Sequence, residues 1–247
     1  MTARLTIEYD GTAFAGWAAQ PGQRTVQGVL EEALATILRG PVSLTVAGRT
    51  DAGVHALGQV ASYEGEPVAV ESVNALLPSD AAVLACGSAP PGFDARRDAT
   101  SRVYSYRVCA RPGRPAVDAG RALHWAYPCE FDALAECAAA LVGTHDFTAF
   151  TPTETYHVRF SRDVFAAFWR RGDRDLLEFW IEADTFMRHM NRVLVGTMLE
   201  VARGRRSVAE FVSLLDGAPR SAAGATAPAH GLYLAGVGYR GERVLDG

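Results

Sequence analysis

Between two strand-like stretches the chain reads Gly48-Arg49-Thr50-Asp51-Ala52-Gly53-Val54-His55-Ala56. An arginine, an aspartate and a histidine share one short loop there. Its glycines suit a backbone that turns sharply or approaches a ligand closely. A loop held between strands can present a reactive group from a rigid scaffold. The alternative is a polar turn in which Asp51 caps a backbone amide and Arg49 forms a surface ion pair. Elsewhere, Tyr104 follows Arg102 by two positions on a strand, where a tyrosine is ordinarily a half-buried packing residue. Arg188 and Arg192 are four residues apart on an expected helix and would share a face. A solvated basic edge is the plain reading of that pair, and His189 between them is given no role. The cysteines Cys86, Cys109, Cys129 and Cys137 contain no C-x-x-C spacing, and the histidines complete no zinc pattern. No metal or cofactor is expected, and the cysteines are read as reduced.

The elements that must position these residues are legible in outline. Leu5 to Asp10 alternates as a strand. Thr25 is an N-cap for a helix over Val26 to Leu38, with Val26, Leu30, Leu34, Ile37 and Leu38 on one face and Gly40 as its stop. Strands are expected at Val42 to Ala47, Leu57 to Tyr63 and Ala82 to Gly87, with a short helix from Val70 ended by Pro78. In the second half, Tyr104 to Arg111 reads as a strand and Phe131 to Val142 as a helix. Val158 to Trp169 and Leu176 to Asp184 form a hairpin around Gly172-Asp173. A long helix over Phe186 to Ala202, a short one over Val208 to Leu215 and a closing strand over Leu232 to Tyr239 complete the chain. Phe147, Phe150, Trp169, Phe179 and Trp180 are expected in the core. Hairpins mixed with helices predict the α+β class, with antiparallel or mixed sheets and helices on one face. Two similar domains are expected, residues 1–98 carrying the loop and residues 99–247 following, with the active-site cleft between them.

The chain has 247 residues, 49% hydrophobic and 21% charged, ordinary for a globular protein. Its start lacks the basic-then-apolar pattern of a signal peptide, and no apolar run is long enough to span a bilayer. The cytoplasm is the expected location. The formal net charge of −4 argues weakly against a nucleic-acid partner, but all 24 basic residues are arginine. Arginine makes forked contacts to phosphate and stacks on bases, so a local arginine-rich groove can still bind RNA.

The stretch Ala47-Gly48-Arg49-Thr50-Asp51-Ala52-Gly53-Val54-His55-Ala56-Leu57-Gly58-Gln59-Val60 resembles the signature of the TruA-type tRNA pseudouridine synthases. Further blocks match in order across nearly the whole chain. They are Glu8-Tyr9-Asp10-Gly11-Thr12 with Gly16-Trp17, Arg24-Thr25-Val26-Gln27-Gly28, Asn74-Ala75-Leu76-Leu77-Pro78 and Arg102-Val103-Tyr104-Ser105-Tyr106. Then come His145-Asp146-Phe147, Phe186-Met187-Arg188-His189-Met190 with Arg192, Thr226-Ala227-Pro228-Ala229 and Gly231-Leu232-Tyr233-Leu234. The resemblance implies the pseudouridine synthase fold and the conversion of uridine to pseudouridine in the anticodon stem-loop of tRNA, at the tRNA positions called 38 to 40. It implies Asp51 as the catalytic carboxylate, acting on C1′ as nucleophile or taking a proton from C2′. Either role requires the ionised form. It further implies that Arg49 binds RNA and holds the target nucleotide out of its stack, that Tyr104 stacks on the flipped base, and that Arg192 pairs with the aspartate. Arg188 is read as a phosphate contact. A homodimer is implied, as is a groove to which Arg24, Arg49, Arg96 and Arg188 contribute.

The sequence departs from the family pattern at Ala18, where glutamine is usual, and at Asp94, where histidine is frequent. It departs again at Asn191 and Val193, which flank Arg192 in place of the usual valine and asparagine. Two other classes remain open: a silent tRNA-binding protein on the same fold, and a carboxylate-dependent nucleoside or glycoside hydrolase. The latter ordinarily needs a second carboxylate, and the nearest acid after the loop, Glu64, lies past the next strand.

Overall fold

The structure is a computed structural model that describes residues 1–155 and 157–245. The chain divides into two compact units. The first comprises Met1–Arg102 with Tyr233–Val244, and the second comprises Val103–Leu232 with Leu245 onward. The end of the expected second domain, residues 246–247, lies outside the described residues, as does residue 156.

The first unit holds β1 (Thr2–Tyr9), α1 (Val26–Leu38), β2 (Thr45–Val46), β3 (His55–Glu64), α2 (Val70–Asn74) and β4 (Ala81–Ser88). The closing strand β10 (Leu232–Tyr239) joins them in the order β4-β1-β3-β10, with β2 on β3. Alternation places Ala3, Leu5, Ile7 and Tyr9 of β1 on a buried face. β1 runs antiparallel to β3 and β4, whereas β10 runs parallel to β3 at Tyr233 opposite His55 and Leu234 opposite Ala56. The sheet is therefore mixed, and the class is α+β.

Thr25 caps α1, its Oγ1 accepting from Gly28 N at 3.2 Å. The helix ends at Leu38, as expected, but the left-handed residue that closes it is Arg39 and not Gly40. Arg39 takes the left-handed conformation, with φ of 55°, and the Gly40 amide donates to Ala35 O. Strand β2 is shorter than expected because the Leu44 amide donates to Glu31 Oε1 at 2.9 Å instead of joining the ladder.

The second unit holds β5 (Ala99–Cys109, which contains the crossing after Arg102), β6 (Leu123–His124), α3 (Phe131–Ala139), β7 (Gly143–Asp146), β8 (Ser161–Arg171), β9 (Leu176–Ala183), α4 (Met190–Ala202) and α5 (Val208–Val212). Its strands follow the order β5-β9-β8-β7. The β8/β9 hairpin is tight, but Arg174 and Asp175, not the glycine, occupy its left-handed positions, at φ of 55° and 61°. Phe147, Phe150, Trp169 and Phe179 are buried. Trp180 is not in the core: it neighbours Phe179 on a strand and so faces the other side, half-exposed beneath the Arg170 guanidinium 4.7 Å from its ring. No helix among the described residues is long and apolar enough to cross a membrane.

Candidate active site

The loop carrying Asp51 joins β2 to β3, and its backbone is held along its length. The buried Arg102 guanidinium donates to Ala47 O from Nε at 3.2 Å and from Nη2 at 2.9 Å, and it also reaches the carbonyls of Arg96 and Ala99. Gln59 Nε2 donates to Gly48 O at 2.7 Å. Tyr9 Oη and Thr50 Oγ1 lie 2.7 Å apart, both buried. Burial pushes the Tyr9 phenol up to about 12, so it remains a neutral hydrogen-bonding group. Trp17 N donates to Thr50 O at 3.0 Å, and Val54 N donates to Asp51 O at 3.2 Å across Gly53, which has φ of 77°. Asp51 itself is half-exposed. A fixed backbone bearing a partly exposed carboxylate matches what general-base or nucleophilic work requires.

The segment from Gly11 to Trp17 packs directly on this loop. A Cβ on Gly11 would run into the Val54 carbonyl, and one on Gly16 would stand 2.9 Å from Thr50 O and 3.3 Å from the carbonyl carbon of Asp51. Both glycines are thus required by close backbone approach. His55, at the loop exit, stacks on Tyr233 at 4.6 Å. Its Nδ1 lies 3.1 Å from both Gly11 N and Asp10 Oδ1. The Gly11 amide donates to that ring nitrogen, which ties the loop exit to the segment that follows β1. Asp10 Oδ1 meanwhile takes Thr12 N and Thr12 Oγ1, at 3.0 and 2.6 Å.

The remaining expected site residues lie in the second unit. Tyr104 is buried on β5 and meets Phe186 edge-on at 5.1 Å. Tyr106 is more deeply buried, and its hydroxyl donates to Pro228 O at 2.8 Å. Arg192, on α4, donates from Nε to Ala227 O at 2.7 Å, and Ala227 N returns a bond to Arg192 O at 3.0 Å. The helix and the segment Ala227-Pro228 therefore fix each other.

Arg188 is not on that helix. His189 adopts φ of 61° at the N-cap, so the helical repeat starts only at Met190 and the shared-face relation of Arg188 with Arg192 does not hold. The turn is held by Thr151 Oγ1 donating to Arg188 O at 3.2 Å and by burial of Met187. Asn191 and Val193 are both buried, so these departures from the family pattern lie in packing positions beside the half-buried Arg192. Asp94 is a turn cap: Oδ1 accepts from Arg96 N and Arg97 N at 2.9 and 2.8 Å.

The arginines expected in the groove differ in availability. Arg49, Arg96 and Arg188 are exposed, and their guanidinium groups have no ion pair among the described residues. Arg24 is committed. It forks onto Asp80 at 2.8 and 2.6 Å and lies 4.0 Å from the centroid of Phe14. That hydrogen-bonded pairing holds the Asp80 carboxyl below its ordinary range.

Sequence reasoning singled out the loop but not its supports. Arg102 acts across 55 residues of sequence and Tyr9 across 41, whereas Gln59 reaches back 11, and only the glycines at 11 and 16 carried a local hint.

Comparison with known proteins defines the class. A family model described as tRNA pseudouridine synthase matches residues 5–92 and 137–240, and the chain belongs to that family. Proteins called tRNA pseudouridine synthase A are similar over almost the full length. The one from Frankia casuarinae is 42% identical over 96% of this chain and 88% of its own. The one from Halalkalibacterium halodurans is 40% identical over 92% and 89%, and the one from Myxococcus xanthus 38% over 96% and 91%.

Proposed function

We propose that this protein isomerises uridine to pseudouridine in tRNA, with Asp51 as the reacting carboxylate. The observation that carries the reading is a half-exposed carboxylate on a loop whose backbone is bonded or packed at Ala47, Gly48, Thr50, Asp51 and Val54, in a chain that belongs to the synthase family.

The reaction breaks the bond from N1 to C1′, turns the base and joins C5 to C1′. C5 gives up a proton and N1 gains one, so no external reactant is consumed. Asp51 starts it from the ionised state, by attack on C1′ or by removal of the C2′ proton. Arg49 contacts the RNA and helps keep the target nucleotide extruded, which offsets an unstacking cost of a few kcal/mol. Tyr104 supports the flipped base, Arg192 pairs with the aspartate, and Arg188 contacts phosphate. The substrate is the anticodon stem-loop, the working form a homodimer and the location the cytoplasm.

The test is product analysis. Unmodified tRNA is incubated with the protein, digested to nucleosides and separated. The reading predicts pseudouridine, loss of an equal amount of uridine and no free uracil. Free uracil with abasic RNA would make the protein a hydrolase, and unchanged RNA that nevertheless binds would make it a silent tRNA-binding protein.

A further inference from the structure

A second recess lies in the first unit, far along the strands from Asp51. Tyr9 pairs with Ala56 beside the loop, whereas Arg4, at the other end of β1, pairs with Ser62. At the strand rise, the five steps from Tyr9 to Arg4 span about 17 Å. There a cavity of about 410 Å³ is lined by Arg4, Phe93, Asp98, Tyr239, Arg240 and Glu242, among others. That volume is at the small end of ligand sites.

Its chemistry is specific. The half-buried Arg4 guanidinium lies 4.6 Å from the Tyr239 ring centroid and 5.8 Å from that of Phe93. Among the described residues it has no hydrogen bond or ion pair. A guanidinium held over aromatic rings, with no acceptor of its own, keeps its forked N–H donors for a planar or tetrahedral anion. Arg240, an exposed residue of the lining, is likewise without an ion pair among the described residues. Asp98 is already engaged, accepting from Asp94 N at 2.8 Å and from Arg97 Nε at 3.1 Å. The Glu242 carboxylate is not: it is exposed, and no described residue donates to it. A carboxylate is an acceptor only and reads exocyclic amino groups. A bare anion would be repelled by Glu242, and a plain cation by Arg4 and Arg240. A phosphate at one end and an amino-bearing ring at the other satisfy all three, with Phe93 as an apolar wall.

We infer that this recess binds a nucleotide, its phosphate forked by Arg4 and its base, one carrying an exocyclic amine, read by Glu242. The nucleotide can be free or part of a bound RNA, and the experiment separates these sources.

The ¹⁵N-labelled protein is titrated with 5′-AMP, 5′-CMP and 5′-UMP while the amide signals of Gly92, Phe93 and Glu242 are followed. These report on the recess and not on the Asp51 loop, so the result stands apart from the isomerase reading. AMP and CMP should move the signals, with UMP at least fivefold weaker. Arg4→Gln should weaken AMP at least tenfold, Arg4→Lys less, and Glu242→Gln should erase the preference over UMP, with the remaining spectrum unchanged as evidence of folding. If Arg4→Gln also lowers tRNA affinity and reduces the slope of log K against log salt by about 0.7, the nucleotide belongs to RNA. Unchanged tRNA binding assigns the site to free nucleotides. Signals that do not move with AMP or CMP overturn the proposal, whatever tRNA binding does.

Discussion

Replacing Gly16 with alanine separates the placing of Asp51 from its chemistry. Gly16 has φ of 100°, and a Cβ there would lie 2.9 Å from Thr50 O, 3.2 Å from Ala52 N and 3.3 Å from the carbonyl carbon of Asp51. Ordinary contact begins at 3.4 Å, so the Thr50 carbonyl must retreat by about 0.5 Å, the difference between 3.4 and 2.9. The neighbours are backbone, already bonded to Trp17 and Val54, so the shift passes to Asp51. A misplacement of about 1 Å can cost on the order of 10²-fold in rate, and half of that predicts roughly a tenfold fall in kcat. The positive φ adds about 1–2 kcal/mol of strain, lowering the melting temperature by about 2–8 °C. Gly22→Ala is the control: its φ is 71°, with nothing within 4 Å of the added carbon, so it should share the strain without the rate loss. Single-turnover formation of pseudouridine on saturating tRNA, at a temperature where all variants are folded, gives the comparison. Equal rate losses in the two variants, or a Gly16→Ala rate within twofold of wild type, would refute the positioning argument.

Other outcomes follow from the same contacts. Arg102→Leu leaves the carbonyls of Ala47, Ala99 and Arg96 without their charged donor and should cost about 2–4 kcal/mol in a denaturant melt. Arg102→Lys should recover only part of this, because one ammonium cannot span three carbonyls. Tyr9→Phe removes the bond to Thr50 at 2.7 Å and should cost about 1 kcal/mol and lower kcat with little change in tRNA affinity. The Asp80 carboxyl is held below its ordinary range by the Arg24 hydrogen bonds. Its contribution is therefore complete above the unfolded value of about 3.9 and is lost as pH falls through the lower folded value. Melting temperature should decline less steeply below about pH 4 in Asp80→Asn than in wild type, by a small step because the pair is partly exposed. Arg188→Glu and Arg49→Glu should each weaken tRNA binding and flatten its salt dependence, whereas Arg24→Gln should reduce stability more than affinity.

The fold was legible wherever local signals agreed. The Thr25 cap and the apolar face behind it marked α1, and β10 follows from Leu232, Tyr233, Leu234, Val237 and Tyr239, which outweigh the glycines at 236 and 238. The short strands β6 and β7 escaped notice because Gly143-Thr144-His145-Asp146 has no apolar alternation, only a partner in β8. The start of α4 was misread because nothing local marks His189 as left-handed; the turn is imposed by contacts from Thr151 and by the burial of Met187. The same distinction governs the site. Asp51 stood out from its own loop, but the clamp on that loop comes from Arg102 and Tyr9, whose side chains look like ordinary strand residues until the sheet brings them to Ala47 and Thr50.

The central claim is that Asp51 drives an isomerisation, and tRNA tritiated at C5 of uridine tests it most directly. C5 must release its hydrogen to bond the ribose. The account predicts tritium release by the wild type and none by Asp51→Asn, which keeps the side-chain shape and removes the charge, with both proteins binding the tRNA equally. Release by Asp51→Asn at the wild-type rate would contradict it.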